Sequence, residues 1–374
     1  MTNGQKIKLG IVFGGKSGEH EVSLTSAASV IGALDPEEFE VTVIGITKAG
    51  KLANASELRT MLPAKLLPRV HISPALEANN SGMQVATNSA ERHTDSRKTP
   101  QIIFPLLHGP YGEDGTIQGL FEIAGIPYIG CGVLASAVGM DKDVMKRLFL
   151  QAGLPVVPFR TVFTRDLPRD LDALKHSLGQ QLGYPMFSKP ANLGSSVGIY
   201  KIHSEKEFDD AVTHSAQFDR KILIEKGIDG RELECAILGN DDPQASVVGE
   251  VISAHEFYDY DAKYVDPASR LEIPAQIDDA KAEEIRDLAL QSFKTIDGSG
   301  LARVDFFLER GTGKVWVSEI NTIPGFTPIS MYTKLWAASG VPFEELVRRL
   351  VRLGEERYCE KNGQKISMGQ SLSG

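Results

Sequence analysis

The sequence is poor in cysteine and has no long hydrophobic run, and each lack excludes a class of protein. Its three cysteines, Cys131, Cys235 and Cys359, are far apart and form no CxxC or zinc-ligand spacing, so we expect a reduced compartment. We expect each thiol to be a small packing residue. No stretch approaches the roughly 18 apolar residues of a membrane span, and the apolar run near the N-terminus is too short for a signal peptide. We therefore expect a soluble, cytoplasmic protein with no membrane partner.

The sequence also lacks an excess of positive charge. The 374 residues contain 40 Lys and Arg against 49 Asp and Glu, which gives a net charge of -9 and a pI near 5.5. A protein that binds nucleic acid would be expected to carry a basic face. We therefore expect small-molecule ligands and no nucleic-acid partner, and the length favours two or three domains.

The order of apolar runs and turn residues predicts three α/β regions. A strand over residues 6–13, a helix over 21–34 and a strand over 41–46 form a β-α-β unit, which is typical of a parallel sheet with ligand groups at the strand C-termini. The polar stretch 79–99 predicts a surface insertion. Small residues after position 130 and the end of a second α/β unit near 226 predict domains at 1–130, 131–226 and 227–374.

Two glycine motifs resemble nucleotide-binding signatures but lack the required context. Residues 10–17 match GxxxxGK[ST], yet three of the four intervening residues are Ile, Val and Phe, which fit a buried strand better than a phosphate loop. Gly130, Gly132 and Ala135 match GxGxxA, but residues 151–157 lack the acidic residue that a dinucleotide fold needs. A nicotinamide dehydrogenase is therefore the weakest of the functional hypotheses.

The runs 301–308 and 315–320 flank a Gly-Thr-Gly turn and predict a β-hairpin. A turn centred on Thr312 places four polar side chains on one face: Asp305 opposite Glu319, and Arg303 opposite Asn321. Three oxygen ligands and an arginine on one face suit a hard cation such as Mg²⁺ beside phosphate. The alternative is a solvated strand face with cross-strand salt bridges.

Four further segments carry candidate ligand groups. Glu19, after the first strand, fits a carboxylate for a substrate ammonium or a helix cap. The loop 189–198 has two interpretations: a loop that closes over phosphates with its backbone amides, or a plain flexible turn. Residues 225–232 have two interpretations as well: a segment that offers its backbone to adenine and a carboxylate to ribose, or an ordinary surface linker. Residues 257–264 fit a polar site or a loop pinned by its aromatic side chains.

Eight segments in the same order resemble the D-alanine:D-alanine ligases of the ATP-grasp superfamily, over about residues 6–353. They are GGKSGEHEVSL, LHGPYGEDGTIQG, MDKDVMKRL, KPANLGSSVGI, IEKGIDGRELECA, FYDYDAKY, GLARVDFFL and EINTIPGFTPIS. The resemblance implies a three-domain α/β ATP-grasp fold with an N-terminal Rossmann-like parallel sheet. It also implies an ADP-forming ligase that makes D-alanyl-D-alanine for peptidoglycan from ATP and two D-alanines, as a cytoplasmic homodimer.

The resemblance also implies roles for individual residues. Phosphates are contacted by Lys142, Lys189, Lys263, Ser195 and Ser196. Adenine and ribose are contacted by Glu225, Lys226, Ile228, Glu232, Phe257 and Phe307. Two Mg²⁺ ions, with Mn²⁺ as an alternative, are held by Asp305, Glu319 and Asn321. The two D-alanine subsites and the oxyanion are served by Glu19, His108, Ser195, Tyr264, Arg303, Ser330 and the Gly325 backbone.

Two alternatives remain beside this resemblance. A depsipeptide-forming relative would join D-alanine to D-lactate, although Tyr264 speaks against it because such relatives typically carry a different loop there. A non-catalytic ATP-binding regulator could share the fold. It would have no need for the second amino-acid subsite that Ser330 represents.

Overall fold

The structure, a computed structural model, describes residues 6–72, 100–169, 171–252 and 270–364, without the side chains of residues 168 and 169. The predicted insertion at 79–99 and the segment with Phe257, Lys263 and Tyr264 lie outside the described residues.

The N-terminal region contains a parallel sheet of four strands in the order β3-β2-β1-β4. The strands are β1 (Ile7–Gly14), β2 (Phe39–Ile46), β3 (Val70–Ile72) and β4 (Ile102–Leu106). The helices of this region are α1 (His20–Ala33), α2 (Ala55–Met61) and α3 (Thr116–Ala124). The parallel sheet is confirmed. The interpretation of the apolar residues 11–13 as part of a buried strand is confirmed as well, because Ile11, Val12 and Phe13 are buried in β1, which ends at Gly14.

The central region is an antiparallel sheet of four strands in the order β5-β8-β6-β7. The strands are β5 (Phe159–Phe163), β6 (Met186–Pro190), β7 (Tyr200–Ile202) and β8 (Lys221–Lys226). Helices α6 (Leu171–Leu182) and α7 (Phe208–Ser215) pack on the sheet, and Leu178 and Phe208 are buried in this small core.

The C-terminal region is a sheet of five antiparallel strands in the order β11-β10-β9-β12-β13. The strands are β9 (Gly230–Gly239), β10 (Gln244–Ile252), β11 (Arg270–Glu272), β12 (Gly300–Glu309) and β13 (Val315–Asn321). Its helices are α8 (Asp279–Thr295), α9 (Met331–Ala338) and α10 (Phe343–Gly363). Two further helices, α4 (Val133–Met140) and α5 (Lys142–Gln151), precede this region in sequence. Short 3-10 helices occur at Ala64–Arg69, Thr164–Arg169 and Glu205–Glu207.

Helix α5 lies at the junction of the central and C-terminal sheets. Its Met145 and Phe149 are buried in one cluster with Val317 and Ile320 of β13. Its first residue, Lys142, donates its backbone N–H to the carbonyl of Ala191, which follows strand β6 (3.0 Å). Each sheet draws its strands from within one predicted domain range, and the boundaries themselves stay a prediction.

The N-terminal and C-terminal regions share one hydrophobic core. Phe104 of β4 and Phe326 meet edge to face, with ring centroids 5.2 Å apart. Helix α10 crosses to the N-terminal sheet, where Arg348 pairs with Glu38 (2.7 Å). Because this packing joins distant parts of the chain, the ends of the N-terminal strands are held toward the C-terminal hairpin.

The cysteines follow the packing prediction in two cases out of three. Cys131 and Cys235 are buried, and burial raises the pKa of their thiols to about 11 and about 12. Such thiols are unreactive at neutral pH. For Cys359 the prediction is wrong, because this residue is exposed on α10.

Candidate active site

The predicted hairpin is formed by β12 and β13 in the predicted register. Arg303 pairs with Asn321 and Asp305 pairs with Glu319 across the two strands. The register then shifts by one residue, since Phe306 pairs with Val317 and leaves Ser318 as the extra residue of a β-bulge.

The bulge decides which way Glu319 points. Val315 and Val317 are buried, so regular alternation would place residue 319 on the buried side as well. The extra residue reverses the alternation, and Ile320 becomes the next buried position. Glu319 therefore joins Asp305 on the polar face.

Arg303 is held by carboxylates on this face. Its Nε and Nη2 donate to the two oxygens of Asp305 at 2.7 Å each, and Nε lies 2.9 Å from Glu234 of strand β9. Burial alone would lower the pKa of the guanidinium, but Asp305 and Glu234 raise it well above its usual value.

The oxygen donors of the hairpin fit a hard divalent cation. Asp305 and Glu319 supply carboxylates and Asn321 an amide oxygen from paired positions of adjacent strands, which is the donor set that Mg²⁺ prefers. Glu319 lies 3.5 Å from Lys142 Nζ, and Asn321 Oδ1 accepts from the Ile323 N–H (3.1 Å). Among the described side chains, no cluster of three or more His, Cys, Asp and Glu could hold a metal, so Asn321 would have to complete the set.

The loop between β6 and β7 reaches both neighbouring regions. Lys142 Nζ donates to the Leu193 carbonyl (2.7 Å), and Ser195 Oγ donates to the Glu19 carboxylate. Ser195 and Ser196 have φ angles of 49° and 59°, the left-handed region that costs a non-glycine residue about 1 kcal/mol or more. The contacts to Lys142 and Glu19 stabilise this conformation.

Glu19 does not cap helix α1. It occupies the N-cap position, but its side chain makes no capping hydrogen bond there. The capping alternative is therefore wrong, and the carboxylate faces the loop, where a Cβ on Gly194 would lie 3.4 Å from its Oε2.

His108 lies in the same region in a buried polar cluster. Its Nδ1–H donates to the Ile323 carbonyl (3.0 Å), and Nε2 lies 3.3 Å from Ser26 Oγ. Burial would lower the pKa of the imidazole, but the neighbouring Glu113 carboxylate, 3.9 Å from Nδ1, raises it. Through Ile323, the cluster connects the N-terminal sheet to the residues that follow β13.

Lys189 projects from the end of β6 beside a second lysine that the sequence did not single out. Its Nζ donates to one oxygen of Glu225, and Lys146 Nζ lies 2.6 Å from the other. Burial would raise the pKa of Glu225, but Lys146 and Lys189 lower it below its usual range. Burial lowers the pKa of the Lys189 ammonium, but Glu225 more than compensates and raises it.

The remaining candidates fall into three places. Phe307 on β12 pairs with Glu232 on β9, next to the position where Asp305 pairs with Glu234. Lys226 ends β8, and Ile228 follows it in the connection to β9. A Cβ on Gly325 would lie 3.2 Å from Ser330 Oγ, so Gly325 and Ser330 are neighbours after β13.

Three functional candidates were missed by sequence reasoning: Lys146, Glu113 and Glu234. Lys146 follows Lys142 by four residues on α5, a spacing that puts both on one helix face and could have identified it. Glu234 follows the candidate Glu232 by two residues on one strand, a spacing that puts both on the same face and could have identified Glu234.

The lysines and the serine loop lie between two antiparallel sheets, and one of these sheets carries the hairpin with its paired oxygen donors. This arrangement defines the class as ATP-grasp α/β proteins. Family models described as the D-ala D-ala ligase N-terminus and C-terminus match residues 8–131 and 148–352. The chain therefore belongs to the D-alanine–D-alanine ligase family and is an ATP-dependent ligase.

Curated relatives and solved structures agree with this assignment. The chain is 49% identical to a D-alanine–D-alanine ligase of Heliobacterium modesticaldum, covering 95% of this chain and 96% of the relative. It is 44% identical to that of Acetivibrio thermocellus, covering 95% and 97%. The D-alanine-D-alanine ligase structure from Coxiella burnetii has a TM-score of 0.79 at 34% identity, covering 96% of each chain. The VanG D-Ala:D-Ser ligase from Enterococcus faecalis has a TM-score of 0.78 at 33% identity, covering 94% and 100%.

Within residues 6–72, 100–169, 171–252 and 270–364, no helix is both long enough and apolar enough to cross a membrane.

Proposed function

We propose that the protein uses ATP to join two D-alanine molecules into D-alanyl-D-alanine, a peptidoglycan precursor. The observation that carries this proposal is the hydrogen bond from Ser195 to Glu19. It joins the loop that would cover the phosphates to a carboxylate that follows strand β1, and Lys142 ties the same loop to Glu319 of the hairpin. These contacts support the proposal that an amino-acid subsite at Glu19 adjoins a phosphate subsite at the loop.

ATP would lie between the central and C-terminal sheets. Lys142 and Lys189, with Lys263, would contact the phosphates, while Ser195 and Ser196 close over them and exclude water. The carboxylate of Glu225 is directed at lysines, so the backbone of residues 225–228, which includes Lys226 and Ile228, would meet adenine. Phe257 and Phe307 would sandwich the base and Glu232 would bind ribose.

Asp305, Glu319 and Asn321 would hold two Mg²⁺ ions, with Mn²⁺ as an alternative. A cation bound there offsets the negative charge of the phosphates as a carboxylate approaches. Arg303 and the lysines supply the remaining positive charge from this chain. Asp305 can serve both Arg303 and a cation, because each carboxylate oxygen accepts more than one partner.

The first D-alanine would place its ammonium at Glu19, with Ser195 and Tyr264 linked to it and His108 beside the subsite. A carboxylate is a poor electrophile, so its oxygen attacks the terminal phosphorus of ATP and displaces ADP, which leaves an acyl phosphate. The lysines and Arg303 lower the repulsion between the two anions in this step.

The second D-alanine would place its carboxylate at Ser330 and the Gly325 N–H. Its amine attacks the acyl carbon, loses a proton, and displaces inorganic phosphate as the peptide bond forms. The tetrahedral intermediate carries an oxyanion, which Arg303 and the Gly325 N–H would stabilise. One such preorganised donor is typically worth about 3 to 4 kcal/mol.

Phosphate release tests the proposal. The protein is incubated with ATP and Mg²⁺, and release is measured without an amino acid, with D-alanine, and with L-alanine. We expect release that depends on D-alanine, with D-alanyl-D-alanine as the product identified by mass spectrometry. The absence of D-alanine-dependent release would overturn the proposal and favour the ATP-binding regulator.

The choice of second substrate needs separate arms of the same assay. The similarity to a D-Ala:D-Ser ligase makes D-serine a second candidate, and D-lactate represents the depsipeptide reaction. D-alanine is offered with equal D-serine or D-lactate, and the products are separated by mass. A mixed product in excess of D-alanyl-D-alanine would assign the chain to one of these alternatives.

We also propose that the protein works as a cytoplasmic homodimer, as the family resemblance implies. Light scattering coupled to size-exclusion chromatography tests the assembly. A mass of one chain at micromolar concentration would contradict it.

A further inference from the structure

Lys146 has no role in the reaction proposed above, yet it is among the most deeply buried charged groups of the described residues. Its side chain is 2% exposed, as is that of its partner Glu225. Burying an ammonium and a carboxylate carries a large desolvation cost. A methionine would fill similar space without that cost, so packing alone does not account for a lysine here.

The geometry around Glu225 indicates what the charge could do. One carboxylate oxygen faces Lys146 at 2.6 Å, and the other accepts from Lys189. A carboxylate held by an ion pair at one oxygen and by a hydrogen bond at the other, from two different elements, cannot rotate freely. Lys146 thereby fixes the orientation in which Glu225 meets Lys189.

The three residues come from three different elements. Lys189 lies on β6, Glu225 on β8 and Lys146 on α5. Helix α5 is anchored on the C-terminal sheet by Met145 and Phe149, whereas β6 and β8 belong to the central sheet. Through these contacts, the position of Lys189 is fixed relative to the C-terminal sheet, which carries the oxygen-donor hairpin.

We propose that Lys146 is a positioning residue for ATP, which acts through Glu225 to hold the Lys189 ammonium at the phosphates. This role rests on the proposed function, because it requires Lys189 to contact ATP. Helix α5 then serves the phosphate site twice, directly through Lys142 at its first residue and indirectly through Lys146 one turn later.

The test measures binding of the non-hydrolysable ATP analogue adenylyl imidodiphosphate with Mg²⁺ by titration calorimetry. Lys146→Met keeps the apolar length and removes the charge. We expect its dissociation constant to rise about tenfold, a factor typical for one misplaced charged contact. The KM for D-alanine should change less than twofold, because Glu19 and Ser330 lie on other elements.

A double-mutant cycle separates positioning from general loosening. In the Lys189→Met background, Lys146→Met should raise the dissociation constant of the analogue by less than about twofold, because the ammonium that Lys146 positions is absent. A matched control, Lys175→Met, removes a lysine paired with Asp209 and should leave the affinity unchanged. If Lys146→Met weakened analogue binding equally in the unaltered protein and in Lys189→Met, the proposal would be overturned.

Glu225→Gln provides a second route if Lys146→Met does not fold. It keeps the side-chain shape, and we expect a similar loss of affinity that again vanishes with Lys189→Met. Unchanged affinity in Glu225→Gln overturns the role of Lys146. Absence of analogue binding by the unaltered protein overturns the proposed function as well, so the two failures are distinguishable.

Discussion

At the scale of single residues, the orientation of Glu319 depends on Ser318. The bulge at Ser318 turns Glu319 away from the buried side and onto the face of Asp305. Glu319 is also the hairpin carboxylate that meets Lys142, at 3.5 Å. Its charge therefore serves two proposed contacts, one to a cation and one to a lysine at the phosphates.

Glu319→Gln tests the proposed metal role. We expect kcat to fall about 100-fold or more, because an amide is a weaker ligand for Mg²⁺ and several kcal/mol of charge stabilisation depend on the cation. The free energy of unfolding should change by less than about 1 kcal/mol, since the ion pair to Lys142 is partly exposed. Steady-state kinetics and urea denaturation measure the two quantities.

The matched control is Glu309→Gln at the turn end of the same hairpin, where Glu309 accepts from Thr312 and Trp316. It should keep normal turnover. Near-normal turnover in Glu319→Gln, or an equal loss in Glu309→Gln, would contradict the metal assignment.

At the scale of elements, the start of helix α5 is fixed by a buried charge network. Asp141 caps the helix by accepting from the backbone N–H groups of Asp143 and Val144. Lys221 of β8 lies 2.6 Å from Asp141 and 3.1 Å from Asp143. The network therefore holds the helix that carries Lys142 against the central sheet.

Asp143 makes the stability of this junction depend on pH. Burial would raise the pKa of its carboxyl, but hydrogen bonds from Thr161 and Arg147 and the charge of Lys221 lower it below the usual range. The unfolded chain then binds this proton more readily than the folded one. The stabilisation is thus fully present above the unfolded pKa of about 3.9, and it is lost as pH falls through the lower folded pKa.

We therefore expect Asp143→Asn to be less stable than the unaltered protein at pH 7, with the difference narrowing below about pH 4. Urea denaturation at a series of pH values measures it. Asp172→Asn, which removes a largely exposed partner of Lys175, should change stability by less than about 0.5 kcal/mol throughout. A stability difference for Asp143→Asn that does not depend on pH would refute this explanation.

The elements themselves were largely predictable from sequence, because apolar periodicity and turn residues are local signals. The helix predicted over residues 21–34 is found at His20–Ala33, and the pairing of Arg303 with Asn321 and of Asp305 with Glu319 followed from counting outward from Thr312. The partners of the site residues were less predictable. Arg303 meets Glu234 and Lys189 meets Glu225 across neighbouring strands, and strand order is not encoded in local periodicity.

At the scale of the whole molecule, helix α10 connects the two ends of the chain. Gly354 of α10 packs so closely on the N-terminal sheet that an added Cβ would lie 2.7 Å from Ile102 Cδ1 and 2.9 Å from the Tyr128 carbonyl oxygen. Arg357 and Lys361 further along α10 pair with Glu122 of α3. This contact keeps the N-terminal sheet, and with it Glu19, in place relative to the hairpin.

Gly354→Ala tests the contact. We expect a loss of about 1 to 3 kcal/mol in the free energy of unfolding, because the Tyr128 carbonyl belongs to the backbone and cannot move aside as a side chain can. The KM for D-alanine should rise, since the subsite lies between the parts that α10 holds together. Denaturation and steady-state kinetics provide the measurements.

Gly119→Ala in helix α3 is the matched substitution, because its Cβ would meet nothing within 4 Å. It should stabilise the protein by about 0.4 to 1 kcal/mol, as alanine restricts the unfolded chain. If both variants are stabilised alike, the close packing of α10 is refuted.

Transfer of oxygen from D-alanine to phosphate tests the acyl-phosphate mechanism directly. The protein is incubated with ATP, Mg²⁺ and D-alanine labelled with ¹⁸O in both carboxylate oxygens, and the released phosphate is analysed by mass spectrometry. If the carboxylate attacks the terminal phosphorus and phosphate later leaves the acyl carbon, each phosphate carries one ¹⁸O atom. Unlabelled phosphate would mean that water attacks ATP, and would contradict the acyl-phosphate mechanism.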